Sequence, residues 1–417
     1  MRSHPFLTGI VVLCLFTIGG IGSFVVYPQL VGVYHWRHAR QALEQSDFPR
    51  AHAHLQGCLE IWPSSAETSF LMARTCRREA NFDAARRHLQ EAERLGWVPA
   101  LVELERLLMV AQAGFVHAVE DELRRFLETR PQERRLILEA LVVGSLQANF
   151  IDDAYRWSTR WAKDYPDDCQ AHLMRGRVLE SGLQYNLAAE EYQQALERKP
   201  DLTVARVGLA EMLVRTGRFA EAVPHFQACL QIEPKHAAAR LGLARCQRNL
   251  SPPEAALATL EPLFADNEGN ADAFLLRGQL ELARGDAEAA LEWLQRAEQM
   301  SPQDLETYQA LATAMRLLSR NEEAQSYEAK RLESEGRLRR MEELTKEIIQ
   351  NPKDVGLRCE AGTTLLRLGQ PQEGARWLAS ALLIDRHHRP TKEALAACLP
   401  KLGDAKLVEQ YRHLLED

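Results

Sequence analysis

What this sequence lacks narrows its function first. None of its eight cysteines forms a CxxC pair. Nowhere does G-x-x-x-x-G-K precede Ser or Thr, and H-E-x-x-H and G-x-S-x-G are also missing. A phosphate-cradling loop, a zinc-hydrolase helix and a nucleophile elbow are therefore excluded. There is no excess of positive charge: the net charge is −7, which argues against a dedicated nucleic-acid binder. His52, His54 and Cys58 form H-x-H-x3-C, but on a helix His52 and His54 point to different faces. His387 and His388 are adjacent in a turn without further ligands. Catalytic residues, cofactors and metal ligands are accordingly expected to be absent, and the chain is not expected to be an enzyme.

What is present is helical. Charged residues make up 26% of the 417, and Ala, Leu, Glu and Arg are abundant, as in a folded helical protein. The cysteines read as small buried residues of a helical stack. Cys58/Cys76 and Cys229/Cys246 recur at similar offsets on consecutive predicted helices. They could bridge only in an oxidising compartment and only if their Cα atoms lie within roughly 7 Å.

From Phe6 to Tyr27 the chain has no charged residue. As a helix, this stretch spans about 33 Å, enough for a bilayer core. Tyr27, Tyr34 and Trp36 suit a membrane interface. The apolar run continues to Val33, longer than a signal peptide's usual apolar core. An uncleaved anchor over 6–31, after a head at 1–5, is the expectation; cleavage near Gly22 is the alternative. Cys14 lies within the run rather than after it, so no lipobox-like cysteine is present. Arg2 precedes the run, and Arg37 and Arg40 follow it. That charge balance leans only slightly toward a cytoplasmic domain and leaves the side of the membrane open.

From Gly32 onward one pattern recurs. Its cleanest copies are Cys169 to Leu202 and Thr203 to His236, a period of 34 residues. Gly176, Ala188, Tyr192, Ala195 and Pro200 in the first copy match Ala210, Ala222, Phe226, Cys229 and Pro234 in the second. Two antiparallel helices approach closely where small side chains meet, and Pro ends the second helix. The small residue of the second helix is traceable as Ala51, Ala85, Val119, Ala154, Ala188, Ala222, Ala256, Ala290 and Ala324. After Ala324 the period breaks, and the pattern predicts a lengthened helix from about Glu322 to Gln350. It resumes with Gly362, Gly369, Leu378 and Ala381.

This pattern resembles the tetratricopeptide repeat (TPR), a helix–turn–helix unit that stacks into arrays because one pair of helices cannot bury its apolar face alone. The resemblance implies an all-α fold: a right-handed superhelix of repeats over 32–388 and a partial repeat or cap over 389–417. The apolar run adds the expectation of one transmembrane helix ahead of them. It also implies protein binding in a groove lined by the first helix of each repeat, whose second, fifth, ninth, twelfth and thirteenth positions face inward. Carried onto this chain, those positions give Arg74, Arg177, Glu211, Arg215, Arg245, Arg248 and Arg316, with Arg284 one place later. Such an arginine ladder suits an acidic protein or peptide, because Arg binds carboxylates through a bidentate fork. Near helix ends Arg also offsets the macrodipole, which accounts for Arg215, Arg248 and Arg284 without a ligand. Lys and Asn do not stand where a terminal-carboxylate clamp needs them; Leu173, Gly208, Ala238 and Gly242 occupy such places. The function expected is a membrane-anchored scaffold or adaptor. An exported soluble binding protein and a non-catalytic regulatory subunit of a membrane enzyme are the alternatives. No nucleic-acid partner is expected.

Overall fold

A computed structural model of the chain describes residues 27–265, 269–403 and 405–415. Of the anchor expected over 6–31, residues 6–26 lie outside the described residues and 27–31 begin the first described helix. Among the described residues no helix is long and apolar enough to cross a membrane. The first described helix, α1, covers residues 27–44. Contacts divide the chain into two compact units, 1–140 and 141–417, a division that the repeat period does not announce.

In the first unit α2 (Phe48–Ile61), α3 (Ala66–Arg78), α4 (Phe82–Arg94), α5 (Pro99–Gln112) and α6 (Val116–Thr129) follow one another as antiparallel hairpins. The first three starts have a local cause. Asp47, Ser65 and Asn81 accept hydrogen bonds from the first-turn amides of α2, α3 and α4. The tight turns demand left-handed backbone, and Ser46 and Ala80 supply it although neither is glycine. Helix α7 (Arg134–Gln147) runs through the unit boundary.

The second unit continues with α8 (Ile151–Asp164), α9 (Cys169–Ser181), α10 (Tyr185–Arg198), α11 (Thr203–Arg215), α12 (Phe219–Ile232), α13 (Ala237–Leu250) and α14 (Pro253–Ala265). It goes on through α15 (Ala271–Arg284), α16 (Ala287–Met300), α17 (Leu305–Leu317), α18 (Asn321–Gln350), α19 (Val355–Arg367), α20 (Pro371–Ile384), α21 (Arg389–Cys398) and α22 (Ala405–Arg412). The small residues tracked through the sequence open the second helix of each pair. Ala51, Ala85, Ala154, Ala188, Ala222, Ala256 and Ala290 are all fully buried there.

The aromatic position fills the joint between repeats. A Cβ on Gly176 would stand 2.7 Å from the Tyr192 ring, and one on Gly208, in the next repeat, 2.8 Å from it. Tyr192 thus sits between two glycines that let α9 and α11 close on it. Its hydroxyl donates to Glu180 Oε2 at 2.7 Å; burial first, and then that carboxylate, push its pKa up.

Successive first helices pack on one another: α9 on α11, α11 on α13, α13 on α15 and α15 on α17. Successive second helices do not do so to a comparable extent. The first helices therefore line the inner side of this unit.

The lengthened helix is continuous from Asn321 to Gln350, with Ser334, Leu344 and Ile348 buried along one side. Gly336 lies inside it, and nothing stands within 4 Å of where its Cβ would be. Ala at this position should therefore raise stability, by up to about 1 kcal/mol from helix propensity alone. Thermal unfolding of Gly336→Ala checks this; a lower melting temperature would show that the glycine serves a bend.

The four cysteines of the two recurrent pairs are free thiols rather than disulfides, and all are buried. Burial pushes Cys58, Cys76 and Cys246 up to about 11.

Candidate functional site

The ladder residues fall into both units, and their surroundings differ. Arg74, in the first unit, is not an open groove residue. Its guanidinium donates to Glu105 at 3.2 Å and to Glu133 at 3.2 Å, and it lies 4.8 Å over the Phe70 ring. Arg77 reaches the same Glu105 and also Gln112, while Arg78 reaches Glu139. Glu105 is fully buried. Burial alone would raise its pKa, but Arg77, Arg74 and Arg78 outweigh burial and hold the carboxyl below its ordinary range. This cluster holds α3 to α5 and to the segment that begins α7.

In the second unit the inner positions interlock between repeats. A residue at the ninth place of one first helix reaches the second place of the next. Arg245 donates to Asp272 at 2.7 Å in this way. One step further, Arg248 donates to Gln279, and Gln279 approaches Glu306 at 3.5 Å. Arg284 pairs with Glu281 at 3.0 Å in its own helix, and Arg316 with Glu328 of α18 at 3.5 Å. Much of the ladder is thus met by carboxylates of the same chain.

Arg177 and Arg215 differ. Arg177 is exposed, and among the described residues its only polar contact is Met174 Sδ at 4.0 Å. The reason lies in the next repeat: Val204 occupies the second place there, where Asp272 stands for Arg245, and Val204 is 49% exposed. Arg215 is exposed too and lies 5.3 Å over the Tyr185 ring. Neither has a carboxylate within ion-pair distance among the described residues. Glu211 stands on the same helix as Arg215. Its pKa is raised by burial and then by Glu180, against the pull of Arg215 and Arg245.

An open pocket of about 410 Å³ follows along the same face, lined by Arg248, Gln279, Leu282, Glu306, Gln309 and Thr313. The arginine series does not reveal the acceptors Glu306 and Gln309 or the hydroxyl of Thr313. The signal was available, because these three hold the second, fifth and ninth places of their repeat. The face therefore presents two exposed guanidinium groups and an exposed valine, then a polar pocket with donors and acceptors. Such a surface can hold an extended peptide segment.

Comparison with known proteins agrees with the repeat reading. Residues 173–237 match one tetratricopeptide-repeat family model and residues 213–280 match another. Residues 173–280 carry TPR repeats. It is 30% identical over 173 residues to DnaJ protein P58IPK homolog B of Oryza sativa subsp. japonica, and 29% identical over the same length to homolog A. Each match covers 37% of this chain, and the chain spans 36% of the length of each of these relatives. Among solved structures, a tetratricopeptide repeat protein from Parabacteroides merdae is 18% identical with a TM-score of 0.39, covering 69% of this chain and 99% of that one. The P58(IPK) TPR domain is 13% identical with a TM-score of 0.26, covering 89% of this chain and 98% of that one. Likenesses that low leave the function untouched.

Proposed function

We propose that the chain is a membrane-tethered scaffold that captures an acidic segment of a partner protein along the inner face of residues 141–417. The observation that carries this reading is the pair Arg177 and Arg215. Both are exposed, and among the described residues neither has a carboxylate within ion-pair distance, on a face where Arg245, Arg284 and Arg316 are matched. A partner carboxylate would replace the acid that Val204 does not provide, and the valine itself offers apolar contact. The tether rests on the uncharged stretch from Phe6 to Tyr27. Helix α1 continues it with an exposed apolar stripe, Tyr27, Leu30, Val33 and Tyr34, suited to a membrane interface.

Charge reversal tests the groove. Arg177→Glu with Arg215→Glu, in the full chain, should abolish partner crosslinking while the helical fold survives, since exposed substitutions usually move stability by less than about 0.5 kcal/mol. Capture by the parent should also weaken with added salt, because exposed charges are screened over about 8 Å at physiological ionic strength. If the double variant keeps its partners at every salt concentration, the binding surface lies elsewhere.

A further inference from the structure

The first unit holds a second cluster with its own chemistry. Cys76 and Glu79 stand three residues apart at the end of α3, on one face of the helix. His52 of α2 meets them from the neighbouring helix, and its Nδ1 lies 2.8 Å from Glu79 Oε2. One donor atom from each of the three lies within 4.8 Å of the others. The sulfur is buried, whereas His52 is 38% and Glu79 25% exposed at the side chain. The cluster thus closes inward on the thiol and opens outward through the imidazole and carboxylate, which leaves a path for an ion.

We propose that His52, Cys76 and Glu79 bind a divalent transition metal of the zinc class, through one nitrogen, one sulfur and one oxygen. Mixed N, S and O donors suit such borderline ions better than calcium or magnesium, which take oxygen alone. Three protein donors leave a fourth tetrahedral position for water. Seating the ion requires the His52–Glu79 contact to widen by roughly half an ångström, given metal–ligand distances of about 2.0–2.2 Å for nitrogen and oxygen. Rotation of the partly exposed Glu79 side chain can supply that movement. On binding, the Cys76 S–H bond breaks, a sulfur–metal bond forms and the proton leaves to solvent; no electron is transferred. The bound ion would clamp α2 to the end of α3.

The test uses the full chain in detergent, stripped of metal by a chelator and titrated with cobalt(II) as a spectroscopic substitute for zinc. One equivalent should produce tetrahedral d–d bands together with a thiolate-to-cobalt charge-transfer band, and zinc should displace both. Cys76→Ser should lose the charge-transfer band. His52→Gln and Glu79→Gln change partly exposed residues and should remain folded by circular dichroism, yet weaken cobalt binding at least about tenfold, since even outer-shell changes cost about 10–100-fold at metal sites. If Cys76→Ser does not fold, these two variants decide the matter. Absence of the charge-transfer band in the parent, its persistence in a folded Cys76→Ser, or unchanged affinity in both Gln variants would each overturn the proposal.

Discussion

Glu105→Leu should destabilise the first unit by about 3–5 kcal/mol, the usual consequence of removing one partner from a buried ion pair. Arg77 is fully buried beside Glu105 and would be left with Gln112 alone. Arg74 would keep Glu133. A second variant separates the charge effect from the lost packing. Pairing Glu105→Leu with Arg77→Met removes both buried charges, and replacing such pairs by apolar groups is often neutral or stabilising. The double variant should therefore recover much of the loss in urea unfolding. Equal stability of the single and double variants would show that volume, not charge, holds the cluster. The cluster also makes the unit acid-sensitive. Because the folded-state pKa of Glu105 is depressed, its contribution is fully present above the ordinary carboxylate pKa. It is lost as pH falls through the lower folded value. The exposed pair Glu91–Arg94 should have little effect, being open to solvent screening.

Phe226→Ala should be equally costly in the second unit, at about 3–5 kcal/mol. The ring is fully buried within the cluster that joins α9, α10, α11, α12 and α13. It also explains a glycine. A Cβ on Gly242 would lie 2.3 Å from Phe226 Cζ, so Ala cannot be added there without moving a buried ring. Gly242→Ala alone should cost about 1–3 kcal/mol for overpacking, less about 1 kcal/mol regained in helix propensity. In the Phe226→Ala background the clash is gone and only the propensity gain remains. Gly242→Ala should then stabilise, so the two substitutions interact with opposite signs. Strict additivity in thermal unfolding would contradict this packing of α12 against α13.

How far the sequence could be read depended on whether a feature repeats. Ala188, Ala222 and Ala256 were legible because close helix contact demands a small residue at the same place in every unit. Tyr192 and Phe226 were legible as joint fillers for the same reason. The continuous helix from Asn321 to Gln350 showed itself as a break in period with an unbroken apolar stripe. Interactions between different repeats were not legible. Arg74 looked like Arg177 in the pattern, yet Glu105 and Glu133 meet one, while the next repeat offers the other a valine, Val204, in place of an acid. The difference arises from the acids, which follow no period. His52, Cys76 and Glu79 were hidden similarly: within α2 the histidine faces no second ligand, and its neighbours arrive 24 and 27 residues later from α3. The division at residue 140 also leaves no mark on the period, since α7 is continuous across it.

The central claim, that a partner protein lies along the first helices of residues 141–417, is tested most directly by site-specific photocrosslinking in native membranes. A photoreactive residue at Thr313, in the pocket wall, should give a discrete adduct that Arg177→Glu with Arg215→Glu removes. The same probe at Gln193, exposed on the second helix α10, should give none. Adducts from Gln193 with none from Thr313 would contradict the claim and place the partner on the second helices instead.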